Sequence, residues 1–237
     1  MKLEQKERQA DIQVRVVDRE ELSAKIDEIA HKIAEIASDG FGHGKTMSPE
    51  RIKRRLSKEP FVVLAEQGNN LVGFQFQSIH DTNTERYLYY SRVIKRDQQG
   101  QGIAQQLLNR AIEHYQPSVI GARSQNPAEI LSFIKAMLKR GITSVFPFID
   151  NQERQASQIT VTEFLEQIGF AGKVNPETGL GKHSYEEGKL GDYAVQLENP
   201  EILAIEKYMQ SIGLNRKEGD SVFYLARLRE TTKIIKT

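Results

Sequence analysis

The chain has 237 residues, 33 basic against 32 acidic side chains for a formal net charge of +1, and no cysteine. That length allows one large domain or a domain with an appendage, while the charge balance supplies no general attraction to nucleic acid or an anionic membrane. Disulfides and thiolate chemistry are excluded, no apolar run reaches the length of a membrane span, and the polar start MKLEQKERQAD lacks the core of a secretory signal, so composition favours a soluble cytoplasmic protein.

Residues 1–10 read as a flexible N-terminus. Ile12, Val14 and Val16 alternate with polar residues and predict a half-buried strand over 12–17. Leu22, Ile26, Ile29, Ala30, Ile33 and Ala37 form the apolar stripe of a long helix that stops at Asp39 and Gly40. Gly44, Lys45 and Thr46 match the end of a P-loop, but Asp39 stands where that motif needs glycine, and a helix precedes it where a strand is required. The run over 40–47 therefore reads as a mobile glycine-rich loop carrying His43 and Lys45. Ser48 and Pro49 open a second helix as cap and first residue. Its Ile52 and Leu56 face inward, and Arg51, Lys53, Arg54, Arg55 and Lys58 read as a solvated basic surface.

Strands over 61–65 and 71–79 flank the turn at Gly68, Asn69 and Asn70. A polar turn over 80–86 leads to a strand over 87–94, rich in aromatic and β-branched residues. The run QGQGIA at 99–104 follows, and Ile103, Leu107, Leu108, Ala111 and Ile112 then recur at helical spacing. Strand, tight loop and helix in that order direct the first amides of the helix, and the positive end of its dipole, at whatever lies in front of the loop. A phosphate suits that place, because Gly100, Gly102 and Ala104 let the backbone approach it closely. Taken alone, the same glycines would also serve an ordinary strand-to-helix turn.

Beyond the helix, a strand over 119–123 should run parallel to the previous one, since a helix joins them. Asn126 and Pro127 start another helix with Glu129 at the reciprocal box position and Ile130, Ile134, Met137 and Leu138 buried. A strand over 144–148 precedes a helix opened by a Thr160/Glu163 capping box and closed by Gly169. The polar, glycine-rich stretch over 170–191 has the length of a functional lid or a disordered segment. A strand over 192–197, a helix from Asn199 and Pro200 with Ile202, Ile205, Met209 and Ile212 inward, and a strand over 222–228 complete the chain.

Gln99, Gly102 and Ala104 occupy the fixed places of a motif, Arg or Gln, two of any residue, Gly, any residue, then Gly or Ala. It resembles motif A of the GCN5-related N-acetyltransferase (GNAT) family, and the order of one strand, two helices, three strands and a helix is similar to the first half of that fold. The resemblance implies an α/β protein of the α+β kind: a mixed, mostly antiparallel sheet flanked by helices. Its core would span 11–150, and a C-terminal extension or insertion over 151–237 would pack its last helix and strand on the same sheet. It implies acetyl-CoA as cosubstrate, held by Gln99, Gly100, Gln101, Gly102, Ile103 and Ala104, with Val93 and Ile94 beside the thioester and Asn126 as a further contact. The reaction would be direct attack by an amine, on a small molecule or a protein, with no metal, nucleic acid or membrane involved; a homodimer is left open. Many relatives carry a tyrosine on the helix where Phe133 stands, so the general acid and base are unassigned, with Tyr208, Glu85 and His80 as candidates. The alternative is a non-catalytic binding or regulatory protein that keeps the CoA site. The five histidines show no metal-ligand spacing.

Overall fold

The computed structural model describes residues 11–40, 47–59, 61–148, 154–185, 188–189, 191 and 198–228, without the side chains of 154–159. The expected flexible N-terminus, the loop residues His43 and Lys45, and the strand over 192–197 lie outside the described residues.

The chain begins with β1 (Ile12–Val17), the kinked helix α1 (Arg19–Gly40) and α2 (Pro49–Lys58). Ser48 caps α2 by accepting from the Arg51 amide, which leaves Pro49 at a position that needs no N–H. A meander follows: β2 (Phe61–Gln67), β3 (Asn70–Asp81) and β4 (Arg86–Ile94), all antiparallel. Gly68, at φ +59°, turns β2 into β3. Helix α3 (Ile103–Tyr115) then crosses over to β5 (Val119–Ser124), which lies parallel to β4. Next come α4 (Pro127–Leu138), β6 (Val145–Phe146), α5 (Arg154–Gln167), β7 (Leu180–Gly181), α6 (Pro200–Ser211) and β8 (Ser221–Arg227).

These strands form one sheet in the order β1-β2-β3-β4-β5-β8-β6, with β7 also on β8. Only β4 and β5 pair in parallel among the described strands. The last strand is thus inserted between β5 and β6. One sheet face carries α3, α4 and α6 over Val63, Val72, Leu88, Ile120 and Tyr224. The other is divided between two cores: α1 and α2 cover Val62, Leu64, Phe74 and Phe76, while α5 covers Tyr87, Val119 and Phe223. Alternation along the strands makes this possible, since successive side chains go to opposite faces. Among the described residues, no helix is long and apolar enough to cross a membrane.

Three local expectations are corrected. Glu129 does not complete a capping box with Asn126: its carboxylate binds Arg92 and accepts from the Tyr224 hydroxyl, while the Asn126 amide donates to Ser124 Oγ instead. Thr160 does not start a helix, because α5 already runs from Arg154. Its hydroxyl accepts from Arg227, and Glu163 accepts from the Tyr87 hydroxyl. A buried polar cluster thus takes both groups away from helix capping. Finally, the described part of 170–191 is fastened rather than loose. Asp220 accepts from Lys182 Nζ (2.7 Å) and the His183 amide (3.1 Å), Phe223 N donates to the Gly179 carbonyl (2.8 Å), and Tyr185 N donates to Gly219 (3.0 Å).

Candidate functional site

The parallel ladder of β4 and β5 is short. Its last partners are Tyr90 and Ala122, so Ser91–Ile94 on one strand and Arg123 and Ser124 on the other run on without pairing to each other. β4 stays bonded to β3 and β5 to β8, so the sheet opens between its two central strands without losing either. The direction of the unpaired β4 groups follows from the ladder. Lys95 N donates to the Val72 carbonyl (2.9 Å) across to β3. By antiparallel alternation, Val93 also turns its N–H to β3, and Arg92 and Ile94 point theirs into the opening. Of the two positions expected beside a thioester, Ile94 is the one with a free amide directed there.

The loop at the mouth of this opening has the geometry of an anion cradle. Gly100 (φ +82°) and Gly102 (φ +79°) both hold the left-handed conformation, and a Cβ added to either would meet nothing within 4 Å. Gly102 is the cap of α3, whose first internal bonds run from Gln105 and Gln106 to the Gly102 carbonyl (both 3.1 Å). Among the described residues, no partner is found for the backbone amides of Gly100, Gln101, Gly102, Ile103 and Ala104. Gln99, Gly100, Gln101 and Gly102 are exposed, while Ile103 is buried and anchors the helix start on the sheet. The loop is braced from behind. Gln99 Nε2 donates to the Ile94 carbonyl (3.2 Å), and the Arg96 amide donates to Asp39 Oδ2 (2.6 Å) at the end of α1. Five donors without partners among the described residues, at the positive end of a thirteen-residue helix, suit an anion.

Under the α3 and α4 face of the opening lies a buried polar knot. Arg92, with its side chain 2% exposed, binds Glu129 (2.9 Å), the Ala104 carbonyl (2.5 Å) and Ser132 Oγ (3.3 Å), tying the first turn of α3 to α4. Burial works against its charge, but Glu129 outweighs that and raises the guanidinium pKa further. Burial likewise pushes the Tyr90 and Tyr224 phenols well up, so both stay protonated. Phe133, fully buried, packs on both rings (centroids 6.2 and 5.0 Å) and has no proton to give.

The opposite face of the opening is aromatic and cationic. Arg55 of α2 lies 4.3 Å over the Phe76 ring and donates to Ser91 Oγ (2.7 Å), so this residue belongs to the rim of the opening and not to a purely solvated helix surface. On β5, the Arg123 guanidinium rests 4.4 Å from the Tyr185 ring and 4.8 Å from Phe170. Tyr89 lies between, stacked on Phe223; burial raises its phenol pKa, against the opposing pull of Arg123 and Arg55.

The remaining candidates are elsewhere. Glu85 precedes β4 and His80 pairs with Tyr87, so at about 3.3 Å per residue they sit roughly 30 and 23 Å along the strands from Ile94. Glu85 is buried in an ion pair with Arg227 and accepts from the Tyr87 hydroxyl (2.7 Å). Tyr208 donates to the Thr178 carbonyl (2.8 Å) and packs on Phe148. Asn126 caps α4 through the Ala128 amide (3.0 Å) at the end of β5. Sequence reasoning placed Arg55 on a solvated basic surface and assigned no role to Arg92 or Arg123. The signal for Arg123 was its place in line with Val119 and Gly121 on one strand face. His183, Glu218 and Asp220 bring ligand atoms within 4.8 Å of one another, a convergence that spacing did not reveal. The Lys182, His183 and Asn215 bonds to Asp220 account for that arrangement.

An opened pair of parallel strands with an anion cradle at its mouth suits an extended ligand that carries a phosphate at one end. Residues 29–130 match the family model described as an acetyltransferase (GNAT) domain. The chain is similar in fold to the ribosomal-protein-S18-alanine N-acetyltransferase of Escherichia coli, at 7% identity and a TM-score of 0.50, covering 96% of this chain and 100% of that one. It is also similar to yncA of Salmonella typhimurium, solved with its cofactor acetyl-CoA (11% identity, TM-score 0.48, 95% and 99% covered). A third similar structure is the diaminobutyrate acetyltransferase EctA of Paenibacillus lautus with L-2,4-diaminobutyric acid and coenzyme A (15%, 0.44, 57% and 81%). No curated protein matches the chain.

Proposed function

We propose that this protein transfers an acetyl group from acetyl-CoA to an amine by direct attack on the thioester. The reading rests on one observation above the others: five consecutive amides, Gly100 to Ala104, stand without partners among the described residues at an exposed helix start beside an opened strand pair. Acetyl-CoA would supply the activated acyl group. The chain's own part is to hold the diphosphate on those amides, with Gln99 bracing the loop and Asn126 at the opposite strand end. The Ile94 N–H, which points into the opening, would donate to the thioester carbonyl oxygen, where a fixed donor stabilises developing negative charge. Arg92 and Glu129 lock α3 against α4 so that these donors stay in register.

An amine entering on the opposite face meets Tyr89, Arg55 and Arg123. Fixed positive charges nearby disfavour an ammonium, so they favour the neutral, nucleophilic form. Residues 11–150 would then contain the CoA site, and the segment after 150 would complete the acceptor side through Phe170, Tyr185 and Phe223. The acceptor is a small molecule or a protein amine. A second reading, a CoA-binding protein without transferase activity, draws on Phe133, whose buried ring cannot protonate a leaving thiolate.

The experiment is a calorimetric titration with CoA, followed by measurement of thiol release from acetyl-CoA over a panel of amines. Binding with amine-dependent thiol release supports transfer. Binding without turnover across the panel supports the second reading, and absence of CoA binding overturns both.

A further inference from the structure

Resting on the acyltransferase reading, we propose that Arg123 anchors a carboxylate on the acceptor, so that the substrates are amines that also carry a carboxylate group. Arg123 is the first β5 residue beyond the last β4 partner, and Ser91 is its counterpart on β4. Both belong to the strand face opposite α3, where the ring contacts of Arg123 lie. Its guanidinium therefore addresses whatever enters on the acceptor side, while the diphosphate cradle belongs to the other face.

The guanidinium is packed but not paired. Its Nη1 is buried without a hydrogen-bond partner, and among the described residues it has no ion pair. A buried donor left unmade is costly, and native structures rarely tolerate one without a reason. The stacking explains the geometry. The Tyr185 and Phe170 rings pack on the guanidinium carbon, and the N–H bonds of the group lie in its own plane, pointing outward from that carbon. Two parallel N–H bonds at one edge match a planar carboxylate in a bidentate pair. The platform is itself fixed, since the Tyr185 hydroxyl donates to the Arg123 carbonyl (3.1 Å) and its amide to Gly219 (3.0 Å). Arg55, held on Ser91 and paired with Glu59 (3.1 Å), lines the other rim.

The test uses the whole protein, with and without CoA, and pairs of probes that differ only in the anion: L-amino acids and their amides, lysine and cadaverine, and O-phosphoethanolamine as a phosphate-bearing amine. Binding is read by calorimetry and transfer by thiol release, for the wild type and for Arg123→Met, which keeps the apolar stem on the aromatic rings, and Arg123→Lys, which keeps charge without the fork. The expected result is that at least one carboxylate probe binds the wild type and its amide does not. Arg123→Met should then raise the Kd or KM for that probe at least about 30-fold, as loss of a buried charged pair does, with CoA affinity unchanged and Arg123→Lys in between. Equal binding of acid and amide, retention of affinity in Arg123→Met, response to the phosphate probe alone, or no carboxylate binding at all would each overturn the assignment. Failure of the wild type to bind CoA is read in the first titration and counts against the acyltransferase reading; the titrations without CoA still decide the role of Arg123.

Discussion

Replacing Gly102 separates strain, bulk and charge at one atom. The residue sits at φ +79°, ψ 4°, and a Cβ there projects into open space in front of α3. A side chain at that φ costs about 1–2 kcal/mol of stability whatever its chemistry, or roughly 2–8 °C in Tm for a chain of this size. Gly102→Ala, Gly102→Gln and Gly102→Glu should therefore melt within a few degrees of one another. Their CoA affinities should differ sharply. A carboxylate about 4 Å from one phosphate charge, at an effective dielectric near 20, is repelled by about 4 kcal/mol, which is roughly a thousandfold in Kd. Gly102→Gln has nearly the same volume and no charge, so its loss measures bulk alone. Calorimetry with CoA at two ionic strengths reads the set, and the excess penalty in the Glu variant should shrink with added salt. Equal Kd values for the Glu and Gln variants, both folded, would refute the placement of the diphosphate.

Three further outcomes are expected. Glu85→Gln replaces the buried carboxylate that pairs with the half-buried Arg227 by a neutral amide, so it should lower stability by about 1–3 kcal/mol while CoA affinity stays at the wild-type value; loss of affinity in a protein that remains folded would count against the distance argued from β4. Gly40→Ala puts a Cβ 2.2 Å from Val93 Cγ1 and 3.0 Å from the Ile94 carbonyl, so the end of α1 must move off the end of β4. The KM for acetyl-CoA should rise and stability fall by about 1–3 kcal/mol, and an unchanged KM would contradict the coupling. For Asp220, burial opposes ionisation, but Lys182 and the Asn215 and His183 amides outweigh it and hold the carboxyl below its ordinary range. The unfolded chain then takes up the proton first as pH falls, so the stabilisation is full well above the ordinary carboxylate pKa of about 3.9 and is lost below it. The Tm gap between the wild type and Asp220→Asn should narrow as pH falls from 6 to 3; a gap constant over that range would contradict this account.

Elements governed by short-range chemistry were legible from the residues. Ser48-Pro49, Asn126-Pro127 and Asn199-Pro200 start helices where they stand, since a capping oxygen and a proline satisfy each other's requirements locally. Two other capping signals misled. Glu129 is held by the buried Arg92, Thr160 by the half-buried Arg227 and Glu163 by the Tyr87 hydroxyl, and for Glu129 the cost of leaving a buried guanidinium uncompensated exceeds the gain from a cap. The glycines of the cradle were readable because a left-handed turn before a helix is written in the sequence itself. Arg123 and Arg55 were not, because their importance comes from the opening between β4 and β5 and from rings supplied by β3, β8 and the 170–185 segment. The choice of Ile94 over Val93 required the pairing register, which only the neighbouring strand fixes.

The most direct test of the diphosphate cradle is a CoA titration followed by two-dimensional amide NMR on the full chain. Large downfield proton shifts at Gly100, Gln101, Gly102, Ile103 and Ala104, together with Ile94, are predicted on saturation. Those amides holding their free positions, while CoA fails to bind or shifts residues elsewhere, would contradict the account.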